Sequence, residues 1–538
     1  MIPLVESYWP ATDELPLVET TCGDVLRAAA ARDPERIALV DADPDPARRR
    51  RWTYAALLAD AERTARALLA HCRPGEHVAV WGANCPEWII VQYGLALAGL
   101  VLVTINPASR TAELAYVLRQ SRARGIFHQR EHRGLDMRAA VADACRDAGV
   151  APALVACLDD LPAWSAAADP AQALPVVQPR DPCMIQYTSG TTGKAKGALL
   201  NHYSITNNAR LMALIKGLDA DTVNLAVAPL FHTAGCVANV LGMAQIGATL
   251  LLPAGFDADL MLDLVAQERV TYGFGVPTML IAMLEAQARR PRDLSSLKVL
   301  FSGATIVPIE VVRRVEREFG VTLIIGYGQT ETSPAITHTR LDDDARDKSE
   351  TIGRPLPQIE VRIVDPATGA TLPVDQPGEL CTRGFLVMMG YFEMPEATAA
   401  TIDVEGWLHT GDLCTMDARG YCRITGRLKD LIIRGGENVY PREIEEVLYT
   451  HPAVAEAAVI GVPDDYWGEQ VAAVVTFRRG ARAAGDALRE HVAARLARHK
   501  VPGRWYALDA LPATTSGKIQ KFRLVEMQRA GDLERHSI

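Results

Sequence analysis

None of the ten cysteines is spaced as Cys-x-x-Cys or grouped in a metal-binding pattern. In a chain of 538 residues such thiols read as reduced and mostly buried, in a cytoplasmic protein. A surplus of basic charge is missing too. The net charge is −9 and the isoelectric point is near 5.8, so no overall positive field points to nucleic acid or an anionic membrane. A local basic site for a phosphate ligand stays compatible with that average. The one dense basic run, Arg48 to Arg51, follows an Asp/Pro-rich stretch and reads as a solvated loop. There is no internal repeat or low-complexity tract. Met1 to Pro10 carries neither the charged nor the apolar region of a signal peptide. Long apolar runs reduce to one, Trp88 to Ile105, which imitates a membrane span. It contains Gln92, Gly94 and Gly99 and ends in Asn106-Pro107. A buried helix passing through Ala98-Gly99 into a strand, Leu100 to Ile105, explains it better, so no membrane span is expected.

What is present is a globular composition, 49% hydrophobic and 22% charged, over a length that suits two to four packed units. Helical patterns (Leu57 to Ala70, Ile309 to Glu318) alternate with short β-branched runs at His77 to Trp81, Ala248 to Leu252, Val299 to Phe301 and Leu323 to Ile325. That alternation predicts an α/β fold of doubly wound parallel sheets. From Glu360 the texture changes to short strands separated by turns, at Glu360 to Val364, Gly378 to Arg383 and Tyr421 to Thr425. These predict a small antiparallel or β-barrel-like unit. After Gly426 a helix (Arg442 to Tyr449), two strands (Val454 to Val462, Gln470 to Phe477) and a helix (Asp486 to Arg498) predict a separate α+β domain.

The richest segment is Tyr187-Thr-Ser-Gly-Thr-Thr-Gly-Lys-Ala-Lys-Gly197. Glycines let backbone N–H groups converge on an anion, hydroxyls add donors and lysine adds charge, which together suit a polyphosphate. It is not a Walker A loop: only two residues separate Gly190 from Gly193, and Ala195 follows Lys194. The bland alternative is a flexible surface linker.

Thr188 to Gly197 resembles the signature loop of the adenylate-forming superfamily of acyl-CoA synthetases, adenylation domains and luciferases. Further motifs follow in the same order, and the likeness runs from about residue 20 to residue 528. The resemblance implies that Thr188, Ser189, Gly190, Thr191, Thr192, Gly193 and Lys196 embrace the phosphates of ATP. In Tyr327-Gly-Gln-Thr-Glu331, preceded by Gly326, it implies that Tyr327 stacks on adenine and Thr330 meets the α-phosphate. Gly328 and Gln329 belong to the same nucleotide loop, and Glu331 would be both a catalytic residue and the Mg²⁺ ligand. Gly303, Ala304 and Thr305 resemble the loop lining adenine and the acyl pocket. Asp412, in Gly406-Trp-Leu-His-Thr-Gly-Asp412, would accept from both ribose hydroxyls. Arg427 would support the ribose and phosphates. Standing alone, Glu331, Asp412 and Arg427 read equally as turn or surface residues.

The family's small mobile C-terminal domain turns about a hinge, here Lys429, which places the domains at 1–428 and 429–538. Past it, Arg434, Gly435, Gly436 and Glu437 resemble the loop that serves the second half-reaction. Gly435 and Gly436 would leave room for pantetheine, or are turn glycines, and Arg434 could meet a phosphate of coenzyme A. Lys518, in Thr515-Ser-Gly-Lys518, resembles the adenylation lysine, whose ammonium would act chiefly in the transition state. His232, in Pro229-Leu-Phe-His-Thr-Ala-Gly235, is the candidate acyl-pocket gate or a structural histidine. No Asp lies in that motif, which argues against an α-amino acid substrate.

The function this implies is an AMP-forming acid–thiol ligase, an acyl-CoA synthetase using ATP, Mg²⁺ and coenzyme A on an apolar or bulky carboxylic acid. The sequence is most similar to medium-chain and fatty acyl-CoA synthetases. Rival readings are an enzyme that thioesterifies a supplied acyl-adenylate, a ligase that loads a carrier protein, a luciferase-like oxygenase and a silent nucleotide-binding scaffold. A homodimer is left open.

Overall fold

The structure, a computed structural model, describes residues 3–188, 195–303, 307–435, 437–464, 466–513 and 519–538. Two large sheets dominate the first four hundred residues. The first has seven strands in the spatial order Gly390–Tyr391, Lys196–Asn201, Pro182–Thr188, Val101–Ile105, His77–Trp81, Gly125–His128 and Leu154–Cys157. Its last five strands run parallel, while the first two pair antiparallel. The second has nine strands, and its middle six are parallel: Thr322–Tyr327, Val299–Gly303, Tyr272–Phe274, Val223–Leu225, Thr249–Leu252 and Ile37–Asp41. These are the doubly wound sheets expected from the alternation.

The membrane-like run resolves into a helix, Pro86–Leu97, and a strand, Val101–Ile105. Every residue of that helix is buried, so no polar face is required of it. The chain reverses at Gly99, whose φ is +66° and suits glycine. No helix among the described residues is long and apolar enough to cross a membrane. Helix Ile309–Phe319 shows the opposite pattern. Val312, Val315 and Phe319 are buried, each contributing roughly 2 kcal/mol by burial, and the remaining face is charged. Gly320, at φ +69°, ends it.

The solvated reading of Arg48 to Arg51 is only partly right. The Arg49 side chain is 2% exposed and meets Glu268 at 2.8 Å. Arg51 meets the same carboxylate at 2.7 Å. Arg50 pairs with Asp41 and Glu87 at 2.8 and 2.6 Å. Only long-range packing of helix Ala258–Glu268 supplies Glu268, which local sequence could not show.

A third sheet is antiparallel throughout, in the order Tyr8–Trp9, Ile359–Val364, Gly378–Gly384, Leu408–Met416, Cys422–Arg427. From Arg427 the chain makes one turn, Leu428–Asp430, and enters strand Ile432–Arg434 of a separate five-stranded sheet. That sheet carries helices Pro441–Tyr449, Gly485–Ala493 and Lys521–Arg529 and two apolar clusters of its own. The helix expected over Asp486 to Arg498 stops at Ala493. Leu496 N–H still reaches the Val492 carbonyl at 2.9 Å, and the chain then turns so that Leu496 and Val501 join the core of Leu488 and Val492. Arg423 pairs with Glu446 at 3.3 Å, linking the third sheet to helix Pro441–Tyr449.

Candidate active site

The C-terminal ends of the parallel strands in the nine-stranded sheet supply the first part of the site, as ligand sites in open α/β sheets do. Gly303 and Gly326 lie side by side at the ends of neighbouring strands. A Cβ on Gly303 would lie 2.8 Å from the Gly326 carbonyl oxygen. One on Gly328 would lie 2.0 Å from the Pro334 carbonyl oxygen. Close backbone approach therefore explains these two glycines before any ligand is invoked.

Tyr327 ends its strand and donates its hydroxyl to Asp412 Oδ2 at 2.7 Å. Desolvation, and then the Asp412 charge, push this phenol well up from its ordinary value. Asp412 Oδ1 meets Arg427 Nε at 3.0 Å, and the two residues are register partners in the antiparallel sheet. Asp412 is 8% exposed, a buried carboxylate held by two donors, as burial of a charge requires. The turn before it is fixed from behind: Glu379 Oε1 accepts from Gly411 N–H at 2.9 Å, and Glu379 Oε2 faces His409 Nδ1 at 2.8 Å. Gln329 leans on the same turn, its amide 3.5 Å from the Thr410 carbonyl.

The second part surrounds Glu331, in the short turn Thr330–Thr332. Both Thr330 and Glu331 are buried. Tyr391 donates its hydroxyl to Glu331 Oε1 at 2.8 Å, and the Lys196 ammonium lies 4.7 Å from the centre of the Tyr391 ring. Lys196 is the register partner of Thr188. Thr188, Lys196, Tyr391 and Glu331 thus form one connected patch. Asn208, on helix His202–Ile215, clamps the following turn by donating to the carbonyls of Thr332 and Ala335 and accepting from Ala335 N–H.

The other expected residues are scattered around this centre. His232 is exposed, and its carbonyl accepts from Gly235 and Cys236 N–H at the start of an irregular helix, Ala234–Leu241. Lys429 is exposed in the connecting turn Leu428–Asp430. Arg434 donates to the His499 carbonyl at 2.7 Å and lies 5.2 Å from the Trp467 ring, so part of its donor capacity is already engaged. Gly435 has φ +59° and a Cβ there would lie 2.6 Å from the Trp467 ring. It is a required turn glycine between strands Ile432–Arg434 and Glu437–Val439, where Glu437 is exposed. Ser189, Gly190, Thr191, Thr192, Gly193, Ala304, Thr305, Gly436 and Lys518 lie outside the described residues.

Sequence reasoning missed Tyr391, Asn208 and Glu379. Each acts through a partner more than thirty residues away, so no local motif announces it. It also missed two groupings that linear spacing hides, Cys22 with Cys183 and His202, and Glu379 with Cys381 and His409. Every cysteine is free, and seven of the ten are buried.

The AMP-binding enzyme family matches residues 26–392, and the AMP-binding enzyme C-terminal domain matches residues 443–518. A Bacillus subtilis (strain 168) protein provisionally named acyl-CoA synthetase YngI is 39% identical over 95% of this chain and 97% of its own. The human mitochondrial medium-chain acyl-CoA ligase ACSF2 is 33% identical over 98% of this chain and 90% of its own. Among solved structures, o-succinylbenzoate CoA synthetase (MenE) from Bacillus subtilis, in complex with the acyl-adenylate intermediate OSB-AMP, superposes with a TM-score of 0.82 at 30% identity, covering 94% of this chain and 98% of that one. The chain belongs to the AMP-binding enzyme family, the adenylate-forming enzymes, and within it to the acid–thiol ligases of acyl-CoA synthetase type.

Proposed function

We propose that this enzyme works on an apolar or bulky carboxylic acid, that free coenzyme A is the acceptor, and that the residues gathered above carry the two half-reactions. The observation that carries the residue roles is the Tyr327–Asp412–Arg427 chain, beside a buried glutamate whose second oxygen is not taken by Tyr391. In the first step a carboxylate oxygen of the acid attacks the α-phosphorus of ATP and pyrophosphate leaves. Asp412 binds the ribose hydroxyls with the lone pairs that Tyr327 and Arg427 leave, and Tyr327 offers its ring face to adenine. Thr188, Lys196 and the loop 189–194 gather the phosphates, with Thr330 at the α-phosphate. Glu331 suits Mg²⁺, which takes one or two carboxylates together with phosphate oxygens and water, and which neutralises the triphosphate when bound. Lys518 stabilises the charge that develops as pyrophosphate departs.

In the second step the thiol gives up its proton to solvent as its sulfur attacks the acyl carbonyl, AMP leaves with the original carboxylate oxygen, and the thioester is formed. We assign the boundary between the two domains to Lys429, with 429–538 turning between the steps, and Arg434 to Glu437 as the segment that serves thiol transfer. His232 gates the acyl pocket. The mostly small or apolar residues of Ala234 to Asn239, Gly275 to Met279 and Gly303 to Ile306 support an apolar acid, as does the name of the human relative, a medium-chain acyl-CoA ligase. A panel of fatty, aryl and bulky acids with MgATP and coenzyme A, read separately for pyrophosphate and acyl-CoA, tests this. Both products are expected with one class of acid, and both are lost in Lys518→Ala. Pyrophosphate without acyl-CoA would overturn coenzyme A as acceptor.

A further inference from the structure

A buried lysine that the two half-reactions do not use packs against strand Val299–Gly303. Lys216 caps helix His202–Ile215 and is 3% exposed. Its ammonium lies 4.2 Å from the centre of the Phe301 ring and donates to the Tyr272 hydroxyl at 3.1 Å. An ammonium has three donors, so two remain beyond this bond. No carboxylate pairs with it among the described residues, and desolvation alone brings it down to about 7.

The neighbours are equally unsatisfied. His338 is 1% exposed, and both its ring nitrogens lack a hydrogen-bond partner. Its ring centre is 5.1 Å from that of Phe301. Gly326 makes this possible, since a Cβ there would meet both rings at 2.7 Å. Asn224, the register partner of Tyr272, is fully buried and its Oδ1 is unpartnered. Burial, and after it the charges of Lys216 and Arg340, holds the His338 imidazole well below its ordinary value. Unpaired buried polar groups are costly and few in native proteins, and here Lys216 and His338 adjoin the Phe301 ring while Asn224 is the register partner of Tyr272.

Their place in the sheet gives the cluster a purpose. Phe301 is partly buried and shares a strand with Gly303, two residues before it. Tyr272 is the register partner of Val299, so by strand rise it lies roughly 13 Å below the Gly303 end. An acyl chain that entered beside Gly303 and ran down past Phe301 would have Lys216 at its far end.

We propose that Lys216, with Tyr272 and His338, recognises an oxygen acceptor at the distal end of the substrate, so that the acid is one carrying a terminal carboxylate or hydroxyl. This rests on the acyl-activating reading above and narrows its substrate class. Lys216 is then a specificity-determining residue.

The test compares alkanoic acids with their ω-hydroxy and ω-carboxy counterparts at equal chain length, by kcat/KM for acyl-CoA formation and by calorimetric binding to the full chain. The intact protein is expected to favour an ω-oxygenated acid at one chain length. In Lys216→Met the ratio of ω-oxygenated to plain acid should fall at least tenfold in both readouts. A ratio that changes less than threefold would make Lys216 a packing residue and overturn the inference. If Lys216→Met does not fold, the intact protein decides alone: a preference for plain acids at every length rejects the proposal. Absence of pyrophosphate with every acid would sink the ligase reading, while the binding ratio still decides the role of Lys216.

Discussion

Tyr391 shows how much of this site resides in single hydrogen bonds that no motif announces. Its hydroxyl is the described partner of Glu331 Oε1, and its ring lies beside the Lys196 ammonium. Tyr391→Phe removes the bond and keeps the ring. Loss of a hydrogen bond to a charged group is worth about 1.5 to 3 kcal/mol, so acyl-adenylate formation should fall by roughly tenfold to a hundredfold. The thermal midpoint should fall by about a few degrees at most. A normal rate in single-turnover pyrophosphate release would show that Glu331 is placed by its turn alone. Asp412 and Glu331 could be singled out in the sequence because they sit in contiguous motifs that resemble the family's. Tyr391, Asn208 and Lys216 could not, because their meaning comes from partners at least fifty residues distant: Glu331, Ala335 and Tyr272.

At the scale of elements, the strands were easier to read than their partners. His77–Trp81 was bounded correctly from its apolar run, since a buried parallel strand is marked by continuous β-branched and aliphatic side chains. Helix Pro86–Leu97 was separable from a membrane span because Gly99 and Asn106-Pro107 interrupt the run. The pairing of strand Tyr8–Trp9 with Ile359–Val364 was invisible, since its register partners lie some three hundred and fifty residues away. So was the ion pair that closes the nine-stranded sheet's edge. The side chain of Arg49 is 2% exposed and that of Glu268 12%. Arg49→Ala strands part of a buried carboxylate and should cost about 3 kcal/mol, tempered by Arg51, which shares the same group at 2.7 Å. Denaturant unfolding measures this, and a loss under 0.5 kcal/mol, typical of exposed pairs, would restore the solvated reading.

For the molecule as a whole, the point of interest is the connection between the third sheet and the C-terminal sheet. One turn, Leu428–Asp430, joins them, and Lys429 within it is exposed. A domain that rotates there needs backbone freedom at that residue, and proline removes it by fixing φ. Lys429→Pro should therefore separate the half-reactions. One of the two, pyrophosphate release or thioester formation from supplied acyl-adenylate, should persist while the other falls at least tenfold. Equal loss of both would place the hinge elsewhere. The central claim is that the acid is activated as its adenylate, and isotope tracing tests it most directly. The enzyme is given an acid labelled with oxygen-18 in its carboxylate, with MgATP and coenzyme A, and the products are weighed by mass spectrometry. One labelled oxygen in AMP is the predicted result, because that oxygen bridges acyl carbon and phosphorus until the thiol displaces it. Label in inorganic phosphate, with ADP formed, would contradict adenylation and require an acyl phosphate instead.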